Sequence, residues 1–319
     1  MARFHAVLVN LGTPSAPTPE AVRGFLEEFL LDPLVVDYPR WFWGPILRRL
    51  VLRSRPERVA ALYRSIWTDA GSPLEAGTRR MVDGLTRRLG PDWDVRFAYR
   101  YGSPSVASAL AAAKDASAVR IVVVPLFPQR TSSTTGTIER AVHEAATAEG
   151  VSSRLTLLEI PPDDAGYVAA LADRYRVALE EAGGDPEHLV ISFHGIPVRY
   201  DRAEKGRYRD DCRRTAEALR ETLGLDHERT TLSYQSRFGP EPWIKPPTDA
   251  TLLERAGAGI RRLAVITPGF LTDGLETLEE IGEQGRASFL GAGGEVFVAV
   301  PAVEDHPALL DALAARIAG

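Results

Sequence analysis

The sequence predicts an α/β protein made of two similar domains, each with a doubly wound, parallel four-stranded sheet. Short apolar runs alternate with longer stretches of helical periodicity, and strands that alternate with helices form parallel βαβ units. Eight such runs occur, four in each half of a chain of 319 residues. That length suits two domains of roughly 100–200 residues each.

In the first half, each predicted strand is an apolar run bounded by turn residues. Strands are predicted at 4–10, 95–99, 120–126 and 155–160. Helices are predicted at 18–31, 74–89, 106–113 and 136–149. Together they form a predicted first domain of residues 1–163, which ends after the Pro161-Pro162 break.

The second half repeats this pattern and forms a predicted second domain of residues 164–319. Strands are predicted at 189–193, 230–234, 263–267 and 296–300. Helices are predicted at 166–182, 208–223, 249–256, 274–289 and 307–317. One interpretation of the last helix is that it packs back onto the first domain.

Composition and charge exclude several classes of protein. Hydrophobic residues make up 45% and charged residues 25% of the chain, the balance of a soluble globular protein and not of a disordered one. The net charge of −5 argues against a nucleic-acid partner, because phosphate contacts need a basic face. No run of 18 apolar residues and no signal peptide is visible, so we expect a cytoplasmic protein.

Two predicted strands of the second domain lead to candidate catalytic residues. Ligands of parallel α/β sheets bind at the carboxyl ends of strands. His194 follows strand 189–193, and Glu276 opens the helix after strand 263–267. An imidazole that faces a carboxylate can move protons at neutral pH, and both groups can bind Fe(II). A histidine packed in the core is the plainer interpretation of His194.

The helix after strand 263–267 is strongly acidic. Glu280 and Glu283 follow Glu276 at spacings that place all three on one face of an α-helix. A solvated acidic face, favoured by the helix dipole, explains them without chemistry. Asp273 as the helix N-cap needs no chemistry either.

An aromatic and basic stretch at residues 38–53 contains Trp41, Phe42 and Trp43. Large apolar side chains are costly to expose, so packing on the core is one interpretation. A second is the lip of a cleft for a large flat ligand, whose carboxylates the adjacent arginines would pair with. The third is a helix at a membrane surface, with arginines toward anionic lipid. The last two are compatible, and they predict peripheral contact with the inner face of the cell membrane.

Eight collinear segments carry a family resemblance. They are VNLGTPSAPTPEAVRGFLEEFL at 9–30, AGSPL at 70–74, YGSPS at 101–105, PLFPQRTSSTTG at 125–136, ISFHGIPVRY at 191–200, YQSRFGPEPWIKPPTD at 234–249, PGFLTDGLETLEEI at 268–281 and FLGAGGE at 289–295. The chain resembles the ferrochelatases, specifically the short bacterial type. The resemblance implies two Rossmann-like domains with a porphyrin cleft between them. It also implies a lyase that inserts Fe(II) into protoporphyrin IX, releasing two protons, in the last step of heme synthesis.

The resemblance also implies roles for matching residues. His194 would take pyrrole protons or receive iron, with Glu276 as its carboxylate partner, so both are expected to be catalytic and to bind the metal. Glu280, Glu283 and Asp273 would relay protons or iron. Porphyrin-binding positions are matched by Leu11, Tyr63, Ser72, Arg100, Tyr101, Gln235, Ser236, Trp243 and Phe270, and the cleft lip by Trp41, Phe42 and Trp43.

Three departures from relatives refine this expectation. Thr131-Ser132-Ser133 matches the segment where some relatives place a ligand of a [2Fe–2S] cluster, and the single cysteine is Cys212. We therefore expect no cluster and no permanently bound cofactor, with Fe(II) as a substrate. Members that metallate coproporphyrin tend to carry Tyr where this chain has Leu11, which favours protoporphyrin IX. Gly274 replaces a His or Cys of some relatives, so no metal role is assigned there.

Three alternatives remain open at this point. A coproporphyrin III ferrochelatase and a cobalt or nickel tetrapyrrole chelatase would use the same chemistry on other substrates. A non-catalytic tetrapyrrole carrier would not need His194 and Glu276 to face each other. The expected partners are porphyrin and Fe(II) but no nucleic acid, and we expect a monomer.

Overall fold

The computed structural model describes residues 3–237, 239 and 241–319. The chain divides into two compact units, Met1–Ile160 with Leu313–Gly319 and Pro161–Ala312. Each unit contains one four-stranded sheet in which all strands run parallel. The predicted α/β class with two parallel sheets is confirmed. Positions 238 and 240 of the family-like segment 234–249 lie outside the described residues.

The first unit has the strand order β2-β1-β3-β4. Its strands are β1 (Phe4–Asn10), β2 (Trp93–Tyr99), β3 (Arg120–Pro125) and β4 (Leu155–Leu157). Its helices are α1 (Pro19–Leu30), α2 (Arg40–Ile46), α3 (Leu52–Ile66), α4 (Pro73–Leu89), α5 (Val106–Asp115) and α6 (Thr137–Glu149), with π-helical turns at Leu47–Val51 and Ser132–Gly136 and a 3₁₀ turn at Ser152–Arg154.

The second unit repeats the order as β6-β5-β7-β8. Its strands are β5 (His188–His194), β6 (Thr230–Gln235), β7 (Arg262–Ile266) and β8 (Val296–Ala299). Its helices are α7 (Ala165–Glu181), α8 (Val198–Ala203), α9 (Arg207–Leu223), α10 (Thr248–Gly257), α11 (Arg286–Gly291) and α12 (Pro307–Ala318), with a π-helix at Leu275–Gly285 and a 3₁₀ turn at His227–Arg229. The last residues of α12 belong to the first unit.

Strand order locates the crevice of each sheet. In each unit the second strand lies on one side of the first strand, and the third and fourth strands lie on the other side. The strand order therefore reverses between the first and third strands, and this topological switch point is where ligands of such sheets bind. In the second unit these are β5, which ends at His194, and β7, which leads to Phe270 and the π-helix Leu275–Gly285. The sheets themselves are buried: residues 5–10 of β1 and 188–193 of β5 have almost no exposed surface.

The chain between α1 and α4 forms α2, a π-helical turn and α3, whereas the sequence predicted a helix there only in the membrane-surface interpretation of residues 38–53. Pro45 and Pro56 lie inside α2 and α3, where proline removes a backbone hydrogen bond and disfavours a helix. Tertiary packing compensates, because Leu47 and Leu52 are buried in a cluster that also contains residues of α1. A prediction from local sequence therefore misses these helices, because it counts the prolines and does not include the packing against α1.

The segment predicted as one α-helix at 274–289 is a π-helix followed by the short α11. A π-helix is bonded i→i+5 and not i→i+4, so the predicted α-helical spacing of Glu276, Glu280 and Glu283 is wrong. Glu283 is exposed, while the neighbouring Glu279 is buried. π-helices are rare and occur frequently at functional sites.

Candidate active site

His194 is the last residue of β5, and its side chain is half-buried. The imidazole Nδ1 lies 2.7 Å from the Gly195 carbonyl oxygen. A carbonyl oxygen only accepts, so Nδ1 carries the hydrogen and Nε2 presents its lone pair. The Tyr208 hydroxyl donates to the His194 carbonyl oxygen at 2.6 Å. Nε2 can therefore accept a proton or bind a metal ion.

Glu276 lies in the first turn of the π-helix and interacts electrostatically with His194. Burial raises the pKa of the Glu276 carboxyl, and the neighbouring Glu280 raises it further, while the His194 imidazole lowers it. The net direction is upward, so this carboxyl keeps its proton at a higher pH than an ordinary glutamate. The structure thus brings together the two residues predicted to be catalytic.

Gln235, at the end of β6, connects β5 to the π-helix through its amide. The Ser192 hydroxyl donates to Gln235 Oε1 at 2.8 Å. Gln235 Nε2 donates to the Glu276 carbonyl oxygen at 2.9 Å and to Glu280 Oε2 at 3.3 Å. The backbone N–H of Gly195 donates to the Gln235 carbonyl oxygen at 2.7 Å. Gln235 therefore positions other groups of the site, and direct contact with porphyrin stays a prediction.

Ser236 holds Glu280 with both its backbone and its side chain. Its backbone N–H donates to Glu280 Oε1 at 2.7 Å, and its hydroxyl donates to Glu280 Oε2. The φ of +66° at Ser236 is unusual for a residue with a side chain. Such conformations cost free energy and cluster at functional sites, so the strained turn serves to aim this N–H at the carboxylate.

Of the two aromatic residues that match porphyrin-binding positions in the second unit, Phe270 lies beside His194 and Trp243 lies against Gly195. The Phe270 ring centroid lies 6.3 Å from that of the imidazole. Trp243 packs over Gly195, where a Cβ would lie 3.2 Å from the indole Cε3. Among the described residues, the buried Trp243 Nε1 has no hydrogen-bond partner. Buried donors are usually paired, so this N–H is an exception among the described residues.

Asp273 is tied to the start of the π-helix. Its Oδ1 accepts from the Thr277 hydroxyl at 2.8 Å and from the Ala302 backbone N–H at 3.3 Å. Burial raises the pKa of Asp273, and the nearby Glu304 adds to that shift. Asp273 thus anchors the helix start. Its relay role, like that of the exposed Glu283, stays a prediction.

In the first unit, the buried carboxylate of Asp32 collects hydrogen bonds from four side chains. It accepts from Arg100 Nη2 at 2.5 Å, Tyr101 Oη at 3.0 Å, Thr137 Oγ1 at 2.6 Å and Arg140 Nη2 at 2.6 Å. Burial alone would raise the pKa of Asp32, but hydrogen bonds from Thr137, Arg140 and Tyr101 hold it at about 2. A permanent carboxylate therefore organises two guanidinium groups at the end of β2.

The remaining predicted porphyrin-binding residues of the first unit differ in exposure. Tyr101 is fully buried, so its role here is that of a donor to Asp32. Ser72 is buried and accepts from the Thr13 hydroxyl at 2.9 Å. Leu11 and Tyr63 are half-buried. Porphyrin contact by these four residues stays a prediction.

The three consecutive aromatic residues separate into two environments. Trp43 is half-buried and donates from Nε1 to the Leu30 carbonyl oxygen at 2.7 Å, so packing on the core is confirmed for it. Trp41 is 80% exposed and Phe42 is 49% exposed. For these two the core interpretation is wrong, and the cleft-lip and membrane interpretations stay open.

Comparison with known proteins identifies the family. The ferrochelatase family model matches residues 5–319. The chain is 46% identical over 306 residues to the ferrochelatase of Edwardsiella ictaluri, covering 96% of this chain and 94% of that one. It is 44% identical over 315 residues to the ferrochelatase of Pectobacterium atrosepticum, covering 98% and 96%. This chain belongs to the ferrochelatase family.

Solved structures of other chelatase-like proteins share the fold of this ferrochelatase-family chain. SirB from Bacillus subtilis with Fe3+ superposes with a TM-score of 0.54 at 15% identity, covering 78% of this chain and 91% of that one. DR2241 from Deinococcus radiodurans, described as structurally similar to chelatases, gives 0.54 at 14% identity, covering 100% and 55%. At such low identity the likeness concerns the fold alone.

None of the described helices of this ferrochelatase-family chain is long and apolar enough to cross a bilayer. No three His, Cys, Asp or Glu side chains among the described residues converge in a way that could hold a metal ion.

Several residues of the site carry no sequence motif. Asp32, Thr137 and Arg140 form the carboxylate network of the first unit, and Tyr208 supports His194. In the sequence, Asp32 comes shortly after a predicted helix, where solvated carboxylates are common, and Tyr208 lies inside a predicted helix like many other residues. The sequence features that could have indicated this network are the acidic residue after α1 and the hydroxyl-rich segment at the start of α6.

We predict that Asp32→Asn destabilises the fold at neutral pH and progressively less in acid. The pKa of Asp32 is about 2 in the folded state and 3.8 ordinarily, so its contribution is complete above pH 3.8 and is lost as the pH falls through 2. The shift corresponds to about 2 kcal/mol. Urea unfolding between pH 7 and pH 3 measures the difference from wild type, which should narrow toward acid.

The matched control for Asp32→Asn is Glu144→Gln. Glu144 is an exposed carboxylate 3.9 Å from Arg140, and an exposed ion pair contributes less than about 1 kcal/mol. Equal unfolding free energies for Asp32→Asn and wild type at pH 7 would contradict the role given to Asp32.

Proposed function

We propose that this protein inserts Fe(II) into protoporphyrin IX, with release of two protons, as the last step of heme synthesis. The observation that carries the proposal is that His194 and Glu276 lie at the crevice of the second sheet and interact electrostatically. The imidazole has a defined tautomer with Nε2 open, and the carboxyl has a raised pKa. Membership of the ferrochelatase family supports the reaction.

Porphyrin metallation requires two proton acceptors, because the free macrocycle carries two pyrrole N–H groups. His194 Nε2 is an acceptor whose orientation is fixed by the hydrogen bond of Nδ1 to Gly195. Glu276 is the second residue that can carry a proton away from the porphyrin. Its carboxyl has a raised pKa and therefore exchanges protons closer to neutral pH than an ordinary carboxyl does. Glu280, held by Ser236, continues the path along the π-helix.

The same pair suits the incoming ion. Imidazole nitrogen and carboxylate oxygen are both ligands of Fe(II). Two protein ligands leave most coordination positions to water and then to the porphyrin nitrogens, so the ion can be passed on. We propose that Fe(II) is a substrate here and that the enzyme uses no resident cofactor; the one cysteine, Cys212, is buried.

Distortion of the macrocycle is the remaining requirement, because a flat porphyrin keeps its nitrogen lone pairs in the ring plane. Contacts with the periphery of the ring can supply the free energy of bending. Phe270 lies beside His194, and Trp243 packs against the next residue, Gly195. These residues are the candidates for ring contact in the second unit.

Anaerobic turnover with Fe(II), offering protoporphyrin IX and coproporphyrin III in parallel, tests the reaction and the substrate. We expect heme formation with the higher kcat/KM on protoporphyrin IX, because Leu11 places an apolar side chain where relatives active on coproporphyrin tend to carry Tyr. Leu11→Tyr should reduce that preference. Binding of both porphyrins without metallation would contradict the reaction, and preference for coproporphyrin III would contradict only the substrate.

We predict that His194→Ala lowers the metallation rate at least about a hundredfold, the scale of a general base, and changes porphyrin affinity little. Initial rates and porphyrin fluorescence titration separate the two effects. His143→Ala removes a histidine from an exposed position of α6 and is the control. Turnover close to wild type in His194→Ala would rule out the assignment.

We also propose that the exposed face of α2 and of the π-helical turn Leu47–Val51 after it contacts an anionic membrane surface. Trp41, Phe42 and Leu50 are exposed apolar residues, and Arg40 and Arg49 beside them are exposed as well. Apolar side chains among arginines are the composition of an interfacial helix, and each cation near anionic lipid adds about 1 kcal/mol.

Sedimentation with vesicles tests this membrane contact. Binding is expected to vesicles containing anionic lipid, and the double variant Trp41→Ala/Phe42→Ala should weaken it at least about tenfold. Val119→Ala/Val177→Ala changes two exposed apolar residues elsewhere and is expected to bind like wild type. Equal loss in both double variants, or no binding by wild type, would contradict the proposal.

A further inference from the structure

A cavity of about 520 Å³ in the second unit is lined by four cationic side chains. None of the residues proposed for metallation lines it. The cations are Lys205, Arg209, Arg213 and Arg220, Asp210 is the one anion of the lining, and the apolar lining consists of Leu232 and Tyr234. The volume lies within the usual range of small-molecule sites.

The three arginines form one wall of this cavity. Arg209, Arg213 and Arg220 are four and seven positions apart on α9, a spacing that keeps them on one face of an α-helix. The rise of 1.5 Å per residue spreads them over about 16 Å. Arg220 Nε donates to the Thr230 hydroxyl at 2.7 Å, so the far end reaches the start of β6, the edge strand of its sheet.

Each of the three guanidinium groups forms an ion pair with a carboxylate and keeps further N–H donors for a ligand. The pairs are Arg209 with Asp201 at 2.7 Å, Arg213 with Asp210 at 3.1 Å and Arg220 with Glu217 at 2.9 Å. A guanidinium has five N–H donors, and one carboxylate uses one or two of them. With Lys205 included, four cations face three carboxylates, so the cavity keeps a net positive charge.

The start of α9 adds to this positive field. The helix has 17 residues, and Gly206 before it supplies no side-chain cap. The first N–H groups of a helix lack intrahelical acceptors and carry the positive end of its dipole. Gly206 and Lys205 both line the cavity, so this end of the helix lies where the lysine and the first arginine meet.

We propose that the cavity binds a small molecule that carries a phosphate or diphosphate group. Guanidinium forks match phosphate oxygens in geometry as well as charge, and helix N-termini favour the same anions. Leu232 and Tyr234 provide apolar surface for an uncharged part of the ligand. The site is independent of the porphyrin chemistry, because it uses none of its residues.

Isothermal titration of the metal-free full chain with inorganic pyrophosphate tests the site, with ionic strength held constant by KCl. Binding with a Kd below about 1 mM is expected, and Arg213→Gln should weaken it about tenfold. Arg213 is exposed and its partner is exposed, so this change leaves no buried charge unpaired. Arg209 is unsuitable, because its partner Asp201 is buried.

Arg176→Gln is the matched control. It removes the same charge from an exposed residue of α7 that does not line the cavity and whose guanidinium donates to the Thr222 carbonyl oxygen at 3.0 Å, and its Kd should stay within about twofold of wild type. The amides of residues 205, 206, 207 and 210 already donate to backbone carbonyl oxygens, so hydrogen exchange should slow at the Tyr208 and Arg209 amides when pyrophosphate binds. Absence of binding, equal weakening by both variants, or equal affinity for citrate would each overturn the proposal.

Discussion

One buried amide, that of Gln235, joins the strand that carries His194 to the π-helix that carries Glu276 and Glu280. It accepts from Ser192 on β5 and donates to the Glu276 carbonyl oxygen and the Glu280 carboxylate in the π-helix. Gln235 is only 4% exposed, and a buried amide left without partners costs about 1–3 kcal/mol. Strand and helix therefore cannot separate without that cost, and the electrostatic interaction of His194 with Glu276 depends on this link.

The two sheets have the same strand order but organise their carboxyl ends differently. In the first unit the charge is permanent: Asp32, with a pKa of about 2, holds Arg100 and Arg140. In the second unit a neutral amide positions groups that titrate, and burial raises the pKa of Glu276. Permanent charges suit the binding of anionic groups, whereas proton transfer needs a group that changes its charge near the working pH.

The sequence predicted the sheet strands well and some helices badly, for different physical reasons. A short apolar run between turn residues is most stable as a buried strand of a parallel sheet. The strand predicted at residues 4–10 accordingly has the same bounds as β1, Phe4–Asn10. The helices α2 and α3 contain Pro45 and Pro56, and only packing against α1 compensates for the lost hydrogen bonds. The π-helix Leu275–Gly285 shares its residue types with an α-helix, so no local signal distinguishes the two.

Residue order and local periodicity are enough to predict the parallel α/β class, the family, and the positions of His194 and Glu276 after two strands of the second sheet. The folded chain adds that these two strands are neighbours, which nitrogen of His194 is open, which carboxyl has a raised pKa and that Asp32 holds two arginines. Those properties arise from burial and from partners such as Gly195 and Gln235. Contacts between residues far apart in the chain create them, and local sequence does not encode such distances.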